Sequence, residues 1–493
     1  MTLEYLQSHA AERPDVLAFA DGTREVSFAA MLQDFAKVAA AVRLLRLAPG
    51  QSVAIGCDDP YTHWLLVLAF EHLGIASASF QRNEGAACRT LLGAVDLVLA
   101  EPDYPQGGWR TFTLGADWLA TIQAWSERDP PPAAEWRPEQ AHRIVRTSGT
   151  TGTQKRLNLT HSVWRTRLDQ MIWLHREIPA GAGLLVPLPI SLGVTQRFAT
   201  LALASGFTFV AAAKPGIKAI PALIQRYRVA SLMLLPIQLK QLLDGLPPDW
   251  TKPEQLELST AGAPLPLALR AAALDRLAWR IANLYGSNET GMVSFDRSAE
   301  PEDEPGIIAP GVELRILDEQ GRELPEGEPG RICVRGAGVF QGYADDPSLT
   351  RRVLRDGWFA CGDFGIRTGS RLLLVGRSDD QANLGGVKHA LAKIEALIQQ
   401  SAGAGLIDVG VAAIANAAGL DEIHAALVTD GQDDRALLDR IAPALRALVA
   451  GDINVIRLAA IPRNEMGKID RARLKQAILD IQAERRGAEG AGA

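Results

Sequence analysis

Residues 231–236 read Ser-Leu-Met-Leu-Leu-Pro, an apolar run too short for a helix and without the polar alternation of a half-exposed strand. A strand that is apolar on both faces needs cover on both faces, and helices packed on a parallel sheet supply it. Residues 161–177 show the matching element: Trp164, Leu168, Met171 and Ile172 fall on one helical face. Patterns of these two kinds alternate along the chain, which predicts an α/β core with largely buried sheets. With 493 residues the chain is too long for one hydrophobic core, so two or more domains are expected.

The last stretch, about 110 residues, reads as a small α+β unit of its own. A helix over 389–400 carries Leu391, Ile394, Leu397 and Ile398 on one face. Strands are expected at 407–415, 423–429 and 453–461, with a helix over 434–449 between the last two. Residues 126–138 read as an exposed connector, and the Gly, Ala and charge-rich end of the chain as disordered.

Several function classes are disfavoured at this level. A formal charge of −6 and a pI near 5.9 argue against a general nucleic-acid binder. The longest apolar stretches are broken, 63–80 by Glu71 and His72, and 184–213 by Pro187, Pro189, Gln196 and Arg197. Neither reads as a membrane span, and the start Met1-Thr-Leu-Glu-Tyr-Leu-Gln7 has no basic stretch followed by an apolar core, so no secretory signal is expected. Cys57, Cys88, Cys333 and Cys361 form no metal-ligand spacing, which fits a reducing, cytoplasmic setting.

The densest chemical signal is Arg146-Thr-Ser-Gly-Thr-Thr-Gly-Thr-Gln-Lys155. Its glycines open backbone shapes closed to other residues, its hydroxyls donate hydrogen bonds, and successive amides in such a loop form an anion-binding nest. It is not a Walker A loop, because Lys155 follows Gln154 and the next residues alternate like a strand rather than opening a helix. Alone, the segment reads more often as a solvated turn.

Four further segments follow in order: Tyr285-Gly-Ser-Asn-Glu-Thr290, Gly357-Trp-Phe-Ala-Cys-Gly-Asp363, Gly376-Arg-Ser-Asp-Asp-Gln381 and Asn464-Glu-Met-Gly-Lys-Ile-Asp-Arg471. With the first loop, the set resembles the adenylate-forming superfamily of acyl-CoA synthetases, peptide-synthetase adenylation domains and firefly-type luciferases. The resemblance runs from Ala11-Glu-Arg-Pro-Asp15 to Lys475. It implies a large N-terminal domain, 1–378, with layered α/β sheets and a small β-barrel-like part. A small mobile α+β C-terminal domain, 379–485, would follow, with 486–493 a disordered tail.

The resemblance also implies roles. Thr147, Ser148, Gly149, Thr150, Thr151, Gly152, Lys155 and Asn288 would hold the ATP phosphates. Tyr285 would stack on adenine, with Gly262, Ala263, Pro264 and Gly286 beside it. Asp363 would take the ribose hydroxyls, with Arg377 near. Glu289 would ligate Mg²⁺, and Lys468 would be the catalytic lysine. Asp379 stands at the hinge position, and Gly385 and Gly386 on the thiol path. By position, Leu188, Ile190, Leu192, Gly262, Met292 and Val293 would line the acyl pocket.

The implied activity is ATP-dependent conversion of a carboxylic acid to an acyl-adenylate, then transfer to the thiol of CoA. The rival acceptor is the phosphopantetheine thiol of an acyl or peptidyl carrier protein. A luciferase-like oxygenase and a nucleotide-binding relic are further alternatives. Where the family usually carries His or another aromatic, this chain has Ile190, and the 187–193 segment has no Asp to pair an ammonium group. An uncharged aliphatic or aromatic acid is therefore expected over an α-amino acid. The chain departs from the family pattern at Gln154, Arg156, Asn288, Cys361, Lys388 and Lys393.

Overall fold

The apolar run at 231–236 forms the strand Val229–Leu234, flanked in parallel by Gly183–Val186 and Glu257–Thr260. Both neighbours are buried at every position. The structure, a computed structural model, describes residues 2–105, 107–147, 155–212, 216–263, 265–300, 306–377, 381–384, 387–403, 405–415, 421–431, 437–443, 453–464 and 467–490.

These three strands are the middle of a 14-stranded sheet. Its parallel part runs through Leu17–Ala20, Thr208–Ala211, Gly183–Val186, Val229–Leu234, Glu257–Thr260 and Arg280–Ser287. At Arg280–Ser287 the sheet turns antiparallel, through Gly291–Ser298, Gly306–Ile308, Arg371–Arg377, Trp358–Thr368, Pro329–Arg335 and Glu313–Leu317. The chain leaves Gly183–Val186 for a neighbour on one side, Thr208–Ala211, and returns to the other side as Val229–Leu234. Connections diverging from adjacent strands leave a crevice at their C-terminal ends, the usual ligand site of such sheets.

A second sheet has six strands and the same kind of reversal. Beside its own crevice, between Ser52–Gly56 and Leu97–Ala100, Arg82 pairs with Asp58, Glu101 and Asp103, and Tyr104 donates to Asp58. Those side chains satisfy one another. The sheet ends in the hairpin Ala141–Thr147 and Lys155–Thr160, where Thr147 pairs with Lys155 across the Thr/Ser/Gly loop. That loop is thus the tip of two antiparallel strands.

The helix expected over 161–177 spans His161–Leu174, with Thr160 Oγ1 accepting from the Val163 amide at its start. In the last part of the chain, Leu406–Ala415, Asp421–Thr429 and Ile453–Arg457 form one sheet, with the helix Leu391–Ala402 on one face and Arg471–Gly490 on the other. Residues 437–443 are helical within the expected 434–449. Two hydrophobic clusters here draw all their members from this region. The last helix runs Arg471–Gly490. Leu474 and Ile478 are fully buried and seat that helix, and Ala483, Glu484, Arg485, Arg486, Ala488 and Glu489 favour its continuation.

Glu71, which breaks the apolar 63–80 stretch, is an anchor rather than an interruption. Its Oε1 accepts from the Thr2 amide at 3.1 Å and from the Thr2 hydroxyl, and its Oε2 from Arg143 at 3.3 Å. Arg143 is 2% exposed and lies in the strand that leads to the Thr/Ser/Gly loop. Substituting Glu71→Ala strands that guanidinium in the interior, which costs about 3–5 kcal/mol. Urea denaturation of E71A is expected to show that loss, and a midpoint equal to the parent's would mean that the pair contributes nothing.

Candidate functional site

Three groups of residues predicted from sequence lie at the C-terminal ends of the long sheet's parallel strands, together with Leu235 and Ile237, which were not predicted. Leu188, Ile190 and Leu192 follow Gly183–Val186. Leu235 and Ile237 follow Val229–Leu234. Gly262 and Ala263 follow Glu257–Thr260, and Tyr285, Gly286, Asn288 and Glu289 occupy the end of Arg280–Ser287 and the turn after it. One physical cause serves all four groups: the strands are parallel, so their ends converge on the crevice.

Two glycines here are demanded by geometry. Gly286 faces the neighbouring strand so closely that a Cβ would lie 1.9 Å from the Gly291 carbonyl oxygen. Gly262 has φ +90°, a backbone shape that L side chains rarely adopt.

Tyr285 is half-buried and donates from its hydroxyl to Asp363 Oδ2 at 2.6 Å. Asp363 sits on Trp358–Thr368 opposite the backbone of Arg377. The two segments 78 residues apart thus meet as one polar pair. Cys361, next to it, has its thiol pushed far up by burial and by the Asp363 charge, so it stays protonated and inert.

The Glu289 turn is built with care. Ser287 Oγ accepts from the Glu289 and Thr290 amides, and Asn288 Nδ2 donates 3.0 Å to the Arg146 carbonyl. That last bond ties the turn to the strand entering the Thr/Ser/Gly loop. The Glu289 carbonyl accepts from the Phe340 amide at 2.7 Å and from Arg167 at 3.0 Å. Its carboxylate Oε1 accepts from the Tyr343 hydroxyl at 3.0 Å, and the Tyr343 ring lies 5.2 Å beneath Lys155 Nζ. Lys155, Tyr343 and Glu289 therefore form a cation, an aromatic platform and an anion in sequence. Burial, then the Glu289 charge, raises the Tyr343 hydroxyl well above its usual range.

Arg156, one departure from the family pattern, pairs with Asp345 at 2.7 Å, while its carbonyl accepts from the Ala344 amide. It fastens the Lys155 strand to the segment carrying Tyr343.

Lys468 lies in a tight loop from the C-terminal region. Its amide donates to Asn464 Oδ1 at 3.0 Å, and its carbonyl accepts from the Asn464 amide at 2.8 Å. Arg463 donates to the Gly467 carbonyl at 2.7 Å and pairs with Asp408. Gly467 has φ +67°, and its open side meets Leu235 and Ile237: a Cβ there would be 3.2 and 3.1 Å from them. The loop bearing Lys468 thus rests at the mouth of the crevice.

The predicted acyl wall is not one surface. Leu188, Ile190 and Leu192 belong with Leu235 in one cluster, Met292 to a second and Val293 to a third. Met292 and Val293 are successive on a strand, so they point to opposite faces. Val293 is fully buried among Leu157 and Trp164.

Ser148, Gly149, Thr150, Thr151, Gly152, Gln154, Pro264, Asp379, Gly385 and Gly386 lie outside the described residues, as do the side chains of Thr147, Arg377, Lys388 and Lys393. Tyr343, Arg167 and Arg463 went unnoticed in the sequence. Nothing local marks Tyr343 or Arg167, whereas Arg463 adjoins the quoted 464–471 segment.

Three comparisons bear on this arrangement. The family described as AMP-binding enzyme matches residues 6–344. An indoleacetate–CoA ligase of Aromatoleum aromaticum is 28% identical over 404 residues, covering 78% of this chain and 75% of the relative. A phenyloxazoline synthase, MbtB, of a Mycobacterium species is 26% identical over 97% of this chain, which spans 42% of that longer protein. Among solved structures, ATP-bound MatB from Rhodopseudomonas palustris superposes with a TM-score of 0.85 at 24% identity, over 98% of this chain and all of the other, a likeness of fold.

Tyr343 gives a direct check on the cation–aromatic–anion arrangement. A tyrosine buried against a carboxylate keeps its proton past about pH 11, whereas an exposed one ionises near pH 10. Ultraviolet difference titration of the parent against Tyr343→Phe is expected to show no phenolate assignable to Tyr343 up to that pH. A step near 10 would remove the pairing with Glu289.

Proposed function

The chain belongs to the AMP-binding enzyme family, and from that premise we propose that it is an AMP-forming acid–thiol ligase that transfers the acyl group to CoA. The observation that carries the reading is the seat of the Gly467–Lys468 loop on Leu235 and Ile237, within the crevice that also gathers Tyr285, Asp363 and Glu289.

In the first step a carboxylate oxygen attacks the α-phosphorus of ATP, and the bond to the β-phosphate's bridging oxygen breaks. Pyrophosphate leaves and acyl-AMP remains. Both reactants are anionic, so the chain's task is to align them and offset charge. Lys468, a compact cation on a long stem, serves the reacting centre as charge moves onto pyrophosphate. Lys155 and the 147–152 loop hold the outer phosphates, and Asn288 keeps the Glu289 turn against that loop. Tyr285 and Asp363 take the adenosine. The acid is ionised at neutral pH and needs no base.

Glu289 fits Mg²⁺: one oxygen is engaged by Tyr343, Oε2 has no hydrogen-bond partner among the described residues, and no group of three metal-ligating side chains lies among them. A single carboxylate suits a cation held mainly by phosphate and water. When bound there, Mg²⁺ supplies positive charge to the phosphates.

In the second step a thiol attacks the acyl carbonyl carbon, AMP leaves, and the thiol proton passes to solvent. The Lys468 loop obstructs the crevice mouth, so the 379–485 unit turns away from 1–378 about Asp379, opening a path along Gly385 and Gly386. A carrier-protein thiol is the second reading, favoured by the likeness to MbtB over nearly the whole of this chain. Presenting CoA and phosphopantetheinylated carriers to preformed acyl-adenylate separates the two. The need for ATP and four cysteines outside any disulfide support a cytoplasmic enzyme, and no helix among the described residues is long and apolar enough to cross a membrane.

Lys468→Ala is expected to lower acid-dependent ATP–pyrophosphate exchange by about 10²–10³-fold while leaving the melting temperature in place. Exchange at the parent rate would remove Lys468 from the chemistry, and exchange with no acid at all would remove the reading.

A further inference from the structure

Arg197 stands on the second turn of the helix Gly193–Ser205, directly after the Pro187–Leu192 segment. Val194, Phe198, Leu201 and Ala202 of that helix are buried, as are the uncharged polar Thr195, Gln196 and Thr200. Gln196, beside Arg197, turns to the six-stranded sheet and donates to Ser79 Oγ at 2.8 Å. Gly193, one turn before Arg197 on the same face, looks toward Val145, 3.7 Å from where its Cβ would be. Val145 is two residues before Thr147 in the strand entering the Thr/Ser/Gly loop. Arg197 thus stands on the helix face turned toward the strand that enters the Thr/Ser/Gly loop.

Its charge acts on another arginine, Arg167. Arg167, 2% exposed, lines Gly291 and donates to the carbonyls of Gly338 and Glu289 at 2.8 and 3.0 Å. Arg197 is half-buried and has no hydrogen bond, ion pair or aromatic partner among the described residues. Burial pulls Arg197 down to about 10, and burial with the Arg197 charge pulls Arg167 to about 9. Both remain cations at neutral pH.

A guanidinium drawn from water without an ion-pair partner is costly to hold, and a second cation acting on it adds to the cost. Elsewhere in the same chain buried arginines are paired: Arg143 with Glu71, Arg270 with Asp296, Arg280 and Arg297 with Glu257. None of the atoms of Arg197 is both sealed from solvent and unpartnered, so its N–H groups open onto a space that a ligand can enter.

We propose that Arg197 is the specificity residue for a second carboxylate on the substrate acid, so that the enzyme activates one end of a dicarboxylic acid while the guanidinium holds the other. The inference rests on the acid-activating reading above. It replaces the expectation of an uncharged acid, which was drawn from Ile190 and the absence of Asp without regard to Arg197. A guanidinium fork takes a carboxylate with two parallel hydrogen bonds, a match that an amide or ester lacks. The apolar Leu188, Ile190 and Leu192 are suited to contact the carbon skeleton between the two ends.

The test is ATP–pyrophosphate exchange by the full chain with straight-chain and aromatic dicarboxylates, each set against its own half-amide. The parent is expected to prefer the best diacid over its half-amide by about 100-fold or more in kcat/KM. Arg197→Gln should erase or invert that preference, raise KM for the diacid and leave KM for ATP unchanged. Arg197→Lys, which keeps the charge without the fork, should fall between. Half-amides or plain monocarboxylates exchanged as well as diacids by the parent would overturn the proposal while leaving the adenylation reading intact. So would a rise in KM for ATP in R197Q, which assigns Arg197 to the nucleotide. If R197Q does not fold, the parent's preference decides alone. Exchange with no acid of any kind would overturn both readings.

Discussion

A carboxylate and a triphosphate repel each other, and the C-terminal edge of the long sheet is organised around that repulsion. Parallel strands end together, so side chains from four separated stretches of sequence arrive at one crevice. In the mechanism we propose, two of the cations that serve it come from different parts of the chain: Lys155 from a hairpin of the six-stranded sheet, and Lys468 from a loop of the last unit. Neither can be supplied by the sheet whose edge they face. The arrangement therefore depends on the contact of Gly467 with Leu235 and Ile237, where a side chain larger than hydrogen has little room.

The same principle explains the rigidity around Glu289. Its turn is held by Ser287, Asn288, Arg167 and the Phe340 amide, four attachments from four places. A carboxylate meant to work beside phosphates must not collapse onto the nearest lysine. Tyr343 keeps the two apart, accepting Lys155 on its ring face and donating to Glu289 from its hydroxyl. Asn288 and Arg156, both departures from the family pattern, make structural bonds here, which accounts for their being tolerated.

The α/β architecture was legible in the sequence because the buried strands are apolar on both faces, as Val229–Leu234 shows. The helix His161–Leu174 declared itself by spacing, though its end did not, since no glycine or proline stops it. Tyr285 and Asp363 were recognisable only through flanking motifs, and their direct bond, across 78 residues, is a tertiary fact. Tyr343 had no local signature, because its role depends on what lies above and below its ring. Met292 and Val293 were assigned to the acyl wall by family position only, and strand alternation sends them to different clusters. Arg197 was visible as a break in an apolar run, but its significance required knowing that no acid answers it.

The most direct measurement is a crystal structure of the chain with a non-hydrolysable acyl-adenylate mimic, such as an acyl-sulfamoyl adenosine, in the crevice. The account predicts Lys468 Nζ within hydrogen-bonding distance, about 3 Å, of the oxygens that replace the α-phosphate, with adenine on Tyr285 and the ribose hydroxyls on Asp363. A complex in which the mimic fills the crevice while Lys468 faces solvent, and the Gly467 loop still rests on Leu235 and Ile237, would contradict it.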